Sequence, residues 1–273
     1  MASVINTNLA SLNAQRNLTT SQKSLNTSLQ RLSSGLRVNS ARDDAAGLGI
    51  ATNMSAQSRG MTVATRNAND GISLAQTAEG GLATITDHLQ RMRELATQAA
   101  SGQYDSVNLA ALDKEYQALQ SEISRVATAT TFNGKQILGS DSTMSFQIGA
   151  GTASENQIAV TTVTASMATG LFTSTDITTA AGAKTVMGTL DTALNTVNSA
   201  RAGLGALQSR FDGVVTQLGA QIENTEAARS RIMDTDYAAE TANLSRSQIL
   251  QQAGTAMLAQ ANSIPQNVLS LLK

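Results

Sequence analysis

The sequence predicts a mainly α-helical fold: an elongated antiparallel bundle, or coiled coil, of paired N- and C-terminal helices with a small β-hairpin region in the middle. Apolar residues recur three, four and seven positions apart towards both ends of the chain, a spacing that favours helices packed side by side. Aromatic residues make up only 3% of the 273 residues, and Pro occurs once. Small and unbranched apolar side chains suit helix-to-helix packing better than stacked sheets.

The first predicted helix carries a stripe of leucines and is expected to end at Gly35. The stripe consists of Leu18, Leu25, Leu29, Leu32 and Leu36. Ser40 stands three residues before Asp43, a spacing that predicts a capping box at the start of a second helix. That helix is expected from about residue 44 to about residue 100, and at roughly 1.5 Å per residue it would be about 85 Å long.

Two seams of apolar residues predict how the second and third helices pack. The second helix has one row formed by Ala75, Leu82, Leu89 and Ala96, and a partner row formed by Ala78, Ile85, Met92 and Ala99. After Gly102, a third helix carries the seam residues Leu109, Leu112, Tyr116, Leu119, Ile123 and Val126. Alternating spacings of three and four are typical of a coiled-coil core.

The middle of the chain changes to a strand-like pattern. Asn133-Gly134 follows Phe132, and this dipeptide is a strong signal for a tight hairpin. Apolar residues that alternate with polar ones predict short antiparallel strands: Met144, Phe146, Ile148, Ile158 and Val160. Residues 161–183 are rich in Thr, Ala, Ser and Gly, which predicts a surface turn region that tolerates an insertion near Gly170.

The C-terminal part predicts two more helices, the first beginning near Lys184. Its main row has residues seven apart: Leu190, Val197, Leu204, Phe211, Leu218, Thr225 and Ile232. A companion row of Leu194, Val215 and Ile222 is interrupted by the polar residues Arg201 and Gln208. The last helix has the rows Leu250, Met257, Ile264, Leu271 and Ala253, Ala261, Val268. Pro265 lies in this seam and is expected to kink the helix or to follow a break.

The sequence predicts no catalytic, cofactor-binding or metal-binding residues. His88 is the only His and Cys is absent, so neither a two-His zinc motif nor a disulfide can form. Motifs for a phosphate-binding loop and for a hydrolase nucleophile elbow are absent. The carboxylate pairs Asp43-Asp44 and Asp234/Asp236 fall at predicted helix boundaries, where capping is the interpretation.

Charge and hydropathy restrict the partners. The net charge is −1, and basic residues form no stripe, which argues against nucleic acid. No apolar run is long enough to cross a membrane. The N-terminal residues lack the features of a signal peptide, which alone would predict a cytoplasmic protein. Charged residues make up only 14%, so much of the surface is expected to be buried against neighbouring subunits.

Several long blocks near the two ends resemble bacterial flagellins. They are residues 31–47 (RLSSGLRVNSARDDAAG), 66–77 (RNANDGISLAQT), 248–254 (QILQQAG), 258–262 (LAQAN) and 265–272 (PQNVLSLL). The resemblance covers about residues 2–138 and 185–273. It implies a structural subunit that polymerises into the helical flagellar filament for swimming motility. It also implies export of the unfolded chain through the flagellar type III system, so that a secreted, extracellular protein needs no signal peptide.

The resemblance implies two domains. D0, the inner tube of terminal helices, would comprise residues 1–43 and 234–273. D1, a helical bundle with the β-hairpin region at about residues 130–183, would comprise residues 44–233, and no D2 or D3 outer domain is expected. The D0 helices are expected to fold only in the polymer, because a two-helix hairpin has one apolar seam to offset the loss of backbone entropy.

Three groups of residues are assigned roles on this basis. The predicted polymer core or interface residues are Leu18, Leu25, Leu29, Leu32, Leu250, Met257, Ile264, Val268 and Leu271. The predicted D1 bundle seam consists of Leu82, Leu89, Leu112, Leu119, Leu204, Phe211 and Leu218. By resemblance, the candidate contacts of an immune receptor are Arg91, Leu95 and Glu115, whereas Met92 departs from the family pattern and is predicted to face the core.

The resemblance also implies partners. The first is the chain itself, as a homopolymer. The others are a flagellar export chaperone at the C-terminal helix, the filament cap, hook-filament junction proteins and the host Toll-like receptor that senses flagellin in innate immunity. Alternative functions are a hook-filament junction protein, a secreted coiled-coil effector, or an exported enzyme with a metallopeptidase insert, against which the single His argues.

Overall fold

The computed structural model describes residues 7–139, 143–161 and 176–270, with the backbone alone for residues 264–270. Five α-helices lie within these ranges: α1 Leu9–Ser34, α2 Ala45–Ala99, α3 Ser106–Ala129, α4 Ala180–Met233 and α5 Tyr237–Ser270. Leu271 and the insertion position near Gly170 fall outside the described residues. The mainly helical class predicted from the sequence is confirmed.

Local hydrogen bonds explain where the first two helices begin and end. The Asn8 side chain accepts a hydrogen bond from the Ser11 N–H and caps α1. Gly35 ends the helix, as predicted, because it adopts the left-handed conformation with φ 73° that glycine tolerates. The expected capping box at Ser40 is wrong. The Asp44 carboxylate instead accepts from the Gly47 N–H at 2.8 Å and caps α2.

Ser40 and Asp43 belong to the turn that precedes α2. The Asp43 carboxylate accepts hydrogen bonds from the Ser40 hydroxyl at 3.0 Å and from the Ser40 N–H at 2.9 Å. Both residues are exposed. The spacing of three residues therefore did indicate a local side-chain contact, but that contact closes a turn one residue before the true cap.

Four short strands form two antiparallel pairs in the described ranges. In the first pair, β1 Thr131–Phe132 is joined to β2 Lys135–Gln136 by the predicted Asn133-Gly134 turn. In the second pair, β3 Thr143–Gln147 faces β4 Gln157–Thr161, with Thr143 opposite Thr161 and Gln147 opposite Gln157. A single 3-10 turn at Ser154–Asn156 precedes β4.

Two sequence-based boundaries differ from the structure. Helix α4 begins at Ala180, four residues before the expected start, because the Thr179 hydroxyl accepts from the Gly182 N–H and caps the first turn. Helix α5 continues past Pro265 to Ser270, so no break occurs at the proline. The surface turn region that was expected over residues 161–183 therefore ends before Ala180.

The chain divides into two compact units. The terminal unit comprises residues 1–56 and 224–273, and the central unit comprises residues 57–223. Helices α2 and α4 contribute residues to both units. In the terminal unit, α1 and α5 pack along each other, which confirms the predicted pairing of the N- and C-terminal helices. A small cluster around Val38, Ala51 and Met233 completes that unit.

The core of the central unit is built mainly from the predicted heptad rows. From α4, it buries Leu190, Val197, Leu204 and Phe211. From α2, it buries Leu74, Ala75, Ala78, Leu82, Ile85, Leu89, Met92, Ala96 and Ala99. Tyr116 and Ile123 of α3 are fully buried beside them. Their periodic spacing places these side chains on one face of each helix, and burial of that face stabilises the unit.

Candidate assembly surface and predicted contact residues

Polar contacts fix the antiparallel alignment of α1 and α5. The Asn8 side-chain amide donates to the Ala261 carbonyl at 2.8 Å, and the Ser11 hydroxyl donates to the Asn262 side-chain oxygen at 2.8 Å. Further along, the Gln251 amide donates to the Gln22 side-chain oxygen at 2.6 Å. Along α1 the bonded residues run from 8 to 22, while their partners run back from about 261 to 251. This is the order of an antiparallel pair, and the bonds fix its register.

A buried carboxylate defines the same register at the other end of the helices. Glu240 is only 7% exposed, and its carboxylate accepts a hydrogen bond from the Ser28 hydroxyl at 2.5 Å. The Arg31 guanidinium lies 3.6 Å from the other carboxylate oxygen. A buried charge is tolerated when it is paired and hydrogen-bonded, and such a group penalises alternative alignments. Sequence reasoning missed this cluster because its partners lie far apart in the chain.

Most of the exposed large apolar side chains in the described chain belong to the terminal unit. Eight of ten belong to it: Leu9, Leu12, Leu29, Ile50, Tyr237, Ile249, Leu250 and Met257, whereas Val63 and Val107 belong to the central unit. Leu9, Ile249 and Met257 are 65–67% exposed. Exposed apolar side chains of this size are available to contact a neighbouring molecule.

A groove of about 610 Å³ lies between α1 and α5. Its walls are mainly small or apolar and include Ala10, Ala14, Leu18, Leu250, Ala253 and Met257. Gly254 also lines the groove, and an added Cβ there would stand 3.3 Å from Leu18 Cδ1. The two helices thus pair closely yet leave an apolar depression open to the solvent.

The predicted polymer residues occupy different depths in the single chain. Leu25 is buried, Leu18 and Leu32 are half-buried, and Leu29, Leu250 and Met257 are exposed. Leu18, Leu250 and Met257 meet at the groove. Ile264 and Val268 lie on α5 but outside the residues whose side chains are described, and Leu271 lies outside the described chain. Their role in the polymer therefore stays a prediction.

The predicted D1 seam residues lie in or against the core of the central unit. Leu82, Leu89 and Phe211 are fully buried, and Leu204 and Leu218 are nearly so. Leu112 and Leu119 are half-buried and pack against the core from α3. Leu218 belongs to a separate small cluster with Met61 and Ala64. The seven-residue spacing predicted the correct face of each helix but not these differences in depth.

One buried contact had no signal in the sequence. Asp113, on the seam side of α3, is 7% exposed and accepts a hydrogen bond from the Ile177 N–H at 3.0 Å. Gln117, one turn later, donates to the other carboxylate oxygen at 2.5 Å. The carboxylate thereby anchors the chain just before α4, and Ile177 itself is fully buried.

The three candidate receptor contacts differ in their exposure to solvent. The Arg91 guanidinium lies 2.9 Å from the Glu115 carboxylate and 2.9 Å from that of Glu94. The pKa of Arg91 is raised by these hydrogen bonds, most strongly by that to Glu94. All three side chains are exposed, whereas Leu95 is 1% exposed and packs in the core. Met92 is fully buried, as predicted. Only Arg91 and Glu115 of the three candidates offer surface to a partner.

Of the second acidic pair, Asp236 caps a helix, whereas the Asp234 carboxylate accepts from the Ser230 hydroxyl at 2.6 Å. The Asp236 carboxylate accepts from the N–H groups of Ala238 and Ala239 at the start of α5. Across the described ranges, no three His, Asp or Glu side chains gather in a way that would hold a metal ion. None of the helices in those ranges combines the length and hydropathy needed to cross a bilayer.

Comparison with family models gives two matches. Residues 5–143 match the family described as "Bacterial flagellin N-terminal helical region". Residues 187–272 match the family described as "Bacterial flagellin C-terminal helical region". Together the two matches cover most of the chain and leave out residues 144–186.

Individual relatives extend over the whole chain. A flagellin of Halalkalibacterium halodurans is 42% identical over 271 residues, covering 99% of this chain and 100% of the relative. Flagellin A of Vibrio cholerae is 36% identical over 375 aligned positions, covering 98% of this chain and 99% of the relative. A crystal structure of Bacillus cereus flagellin matches with a TM-score of 0.51 at 32% identity, covering 60% of this chain and 94% of that one.

Proposed function

Because the chain belongs to the bacterial flagellin family, and is therefore a structural subunit of the flagellar filament outside the cell, we propose that the terminal helix pair carries its assembly. The observation that supports this is the concentration of exposed large apolar side chains on the terminal unit. In a filament, each of these side chains would meet a neighbouring copy. The apolar groove between α1 and α5 would receive side chains of such a copy.

Repetition along a filament multiplies the free energy of each apolar contact. Burial of one exposed Leu, Ile or Met side chain stabilises a contact by about 1.5–3 kcal/mol. Each subunit carries several such side chains, and a helical polymer repeats the contact at every subunit. Small gains per residue thus add up to a stable polymer, while a free subunit has to expose the same surface to water.

The proposed division into D0, residues 1–43 and 234–273, and D1, residues 44–233, is supported by where the helices are interrupted. The segment between α1 and α2 and the segment between α4 and α5 lie side by side. Leu36 forms an isolated β-bridge with Asp234. The Thr235 N–H donates to the Gly35 carbonyl at 3.0 Å. Both segments therefore leave the helical conformation at the same level.

Further parts of the proposal rest on family membership alone. The chain would leave the cell unfolded through the flagellar type III channel, with an export chaperone bound at the C-terminal helix. It would then meet the filament cap and the hook-filament junction proteins. A host Toll-like receptor that senses flagellin would contact the surface around Arg91 and Glu115. As a member of a structural family, the chain would act without catalysis and without a cofactor.

A matched pair of substitutions tests the role of the terminal unit. Ile249 on α5 is 65% exposed and Val107 on α3 is 73% exposed, so Asn at either position leaves the fold of the subunit intact. We expect Ile249→Asn to slow seeded polymerisation, followed by sedimentation and electron microscopy, whereas Val107→Asn polymerises like the parent. If the Ile249 variant polymerised at the parental rate, or if both variants lost polymerisation equally, the terminal unit would not be the main assembly surface.

A further inference from the structure

We propose that Asn133 is a site of spontaneous deamidation, at which the backbone nitrogen of Gly134 attacks the Asn133 side chain and converts it to aspartate or isoaspartate. The modification needs no enzyme, and its reactants are the chain and water. It concerns the chemical ageing of the subunit and is independent of how the filament assembles.

Only at this position does the sequence place an unhindered nucleophile after an asparagine. Asn133 is the only asparagine of the chain that is followed by glycine. The attacking group is the backbone nitrogen of the next residue, and any side chain on that residue obstructs its approach. Around Gly134 there is also free space, since even an added Cβ would meet no atom within 4 Å.

The turn leaves both reacting groups accessible. Asn133 has φ 49° and Gly134 has φ 76°, which are the two left-handed conformations of a type I′ hairpin turn. Both residues are exposed. In the part of the chain that the structure describes, no hydrogen bond holds the Asn133 side chain or the Gly134 N–H. The hairpin pairs only Phe132 with Lys135 and Thr131 with Gln136, so the turn opens locally with little loss of structure.

Asn39 provides the contrast within the same chain. It is followed by Ser40, but its side-chain amide donates to the Ser34 hydroxyl at 2.8 Å and to the Leu36 carbonyl at 3.2 Å. The nucleophile that would attack it, the Ser40 N–H, donates to the Asp43 carboxylate at 2.9 Å. Attack at Asn39 therefore requires these bonds to break first, whereas attack at Asn133 does not.

The conversion consumes one water molecule and releases one molecule of ammonia. Hydroxide removes the proton of the Gly134 backbone nitrogen, which then attacks the side-chain carbonyl carbon of Asn133. The bond from that carbon to the amide nitrogen breaks, and the nitrogen leaves as ammonia after taking up a proton. The resulting five-membered succinimide ring is opened by water at one of its two carbonyl carbons. Opening at one carbonyl gives aspartate, and opening at the other gives isoaspartate, which places an extra methylene in the backbone.

The two products differ in their effect on the hairpin. Aspartate tolerates the left-handed conformation, so it keeps the turn and adds one negative charge. Isoaspartate lengthens the backbone of a two-residue turn, so the pairing of Phe132 with Lys135 is lost. Just beyond the pair, the Ile137 N–H donates to the Thr130 carbonyl at 3.2 Å, and Ile137 and Leu138 are buried. We therefore expect isoaspartate to loosen the attachment of Leu138 to the core.

Peptide mapping tests the site directly. The purified full-length chain would be incubated in mildly alkaline buffer, digested with trypsin beside an unincubated sample, and analysed by mass spectrometry. Trypsin releases residues 126–135 with Asn133 as their only asparagine, and residues 38–42 with Asn39 as theirs. We expect the deamidation rate at Asn133 to exceed that at Asn39 by about tenfold or more, because several hydrogen bonds hold the Asn39 turn closed.

The variant Asn133→Gly is the control, because Gly-Gly suits a type I′ turn and cannot form a succinimide. Isoaspartate would be measured by enzymatic methyl transfer to its free α-carboxylate. We expect the parent to gain this signal with incubation time, and the variant to lose most of it. Equal deamidation rates at Asn133 and Asn39, or an unchanged isoaspartate signal in the Asn133→Gly variant, would overturn the proposal.

Discussion

The ring of Phe146 on β3 meets the ring of Phe211 on α4 edge to face, with the ring centroids 5.8 Å apart and the planes at 80°. Gly71 of α2 also lies against the Phe211 ring, and an added Cβ there would be 2.6 Å from Phe211 Cζ. Phe211 thus joins a strand and a second helix to α4, and no side chain larger than that of glycine fits at position 71 without a shift. The aromatic pair and the glycine make one packing unit within the central unit.

We expect Phe211→Ala to destabilise the central unit strongly. The side chain is fully buried, and removal of a buried Phe lowers the free energy of unfolding by about 3–5 kcal/mol. Denaturant unfolding followed by circular dichroism measures the change. Phe146→Ala is the comparison: its side chain is half-buried, so its effect should be smaller. A loss at Phe211 no greater than at Phe146 would show that this packing contributes little.

Two glycines of α2 predict opposite effects of the same substitution. Gly71→Ala pushes a methyl group into the Phe211 ring and should destabilise by about 1–3 kcal/mol. Gly80→Ala meets no atom within 4 Å, and alanine favours the helix by about 0.5–1 kcal/mol. Thermal unfolding of both variants against the parent checks the signs. The packing described at Phe211 would be wrong if Gly71→Ala raised the melting temperature as Gly80→Ala does.

Acidification should weaken the turn that precedes α2. The pKa of the Asp43 carboxyl is held below its ordinary value, first by the hydrogen bond from the Ser40 hydroxyl and then by those from the Ser40 and Asn39 N–H groups. A lowered pKa in the folded state means that the ionised carboxylate stabilises the fold above the ordinary carboxyl pKa. This contribution is lost as the pH falls through the lowered pKa.

The variant Asp43→Asn isolates that contribution to the pH dependence. We expect its free energy of unfolding to depend less on pH in the acidic range than that of the parent, while the two converge at low pH. Denaturant titrations at a series of pH values would measure both curves. Parallel curves over the whole range would mean that Asp43 has the same pKa in the folded and unfolded chains.

The proposed receptor surface predicts a difference between two neighbouring arginines. Arg91 pairs with Glu115 and Glu94, whereas Arg93, on the same helix, pairs with Asp191. Both pairs are exposed, so loss of either should change the free energy of unfolding little. We expect Arg91→Ala to reduce the potency of purified subunit on receptor-expressing reporter cells more than Arg93→Ala does. Equal potencies for the two variants would remove Arg91 from the proposed contact.

The terminal helices are expected to gain their order from the polymer. Several of their large apolar side chains stay exposed in the single chain, and ordering the backbone costs about 1–2 kcal/mol per residue. Hydrogen exchange of peptides from residues 7–34 and 237–270 would compare free subunit with filament. We expect fast exchange in the subunit and slow exchange in the filament. Slow exchange in both states would show that the pair is stable on its own.

The periodic spacing of apolar residues predicted the helices of the central unit well, for a physical reason. Leu190, Val197, Leu204, Phe211 and Leu218 are seven apart and all buried, because two helical turns bring each residue back to the same face. The Asn133-Gly134 turn was equally predictable, since few residues tolerate two left-handed conformations in succession. These features depend on neighbours in sequence.

Features that depend on remote partners could not be predicted in this way. The periodicity of α5 assigns Leu250 and Met257 to an apolar stripe, but it does not say whether the partner lies in the same chain or in another one. The bond between Ser28 and Glu240 joins residues 212 positions apart, and nothing near either residue indicates the other. Leu95 matched a family surface by resemblance, yet its position on α2 turns it into the core.

The bridge between Leu36 and Asp234 has a mechanical consequence. Two hydrogen bonds join the chain segments that interrupt the helices: the Arg37 N–H donates to the Met233 carbonyl, and the Thr235 N–H donates to the Gly35 carbonyl. One segment cannot shift along the other without breaking these bonds. A change of conformation at residues 35–37 is therefore transmitted to residues 233–235, although the two segments lie far apart in the sequence.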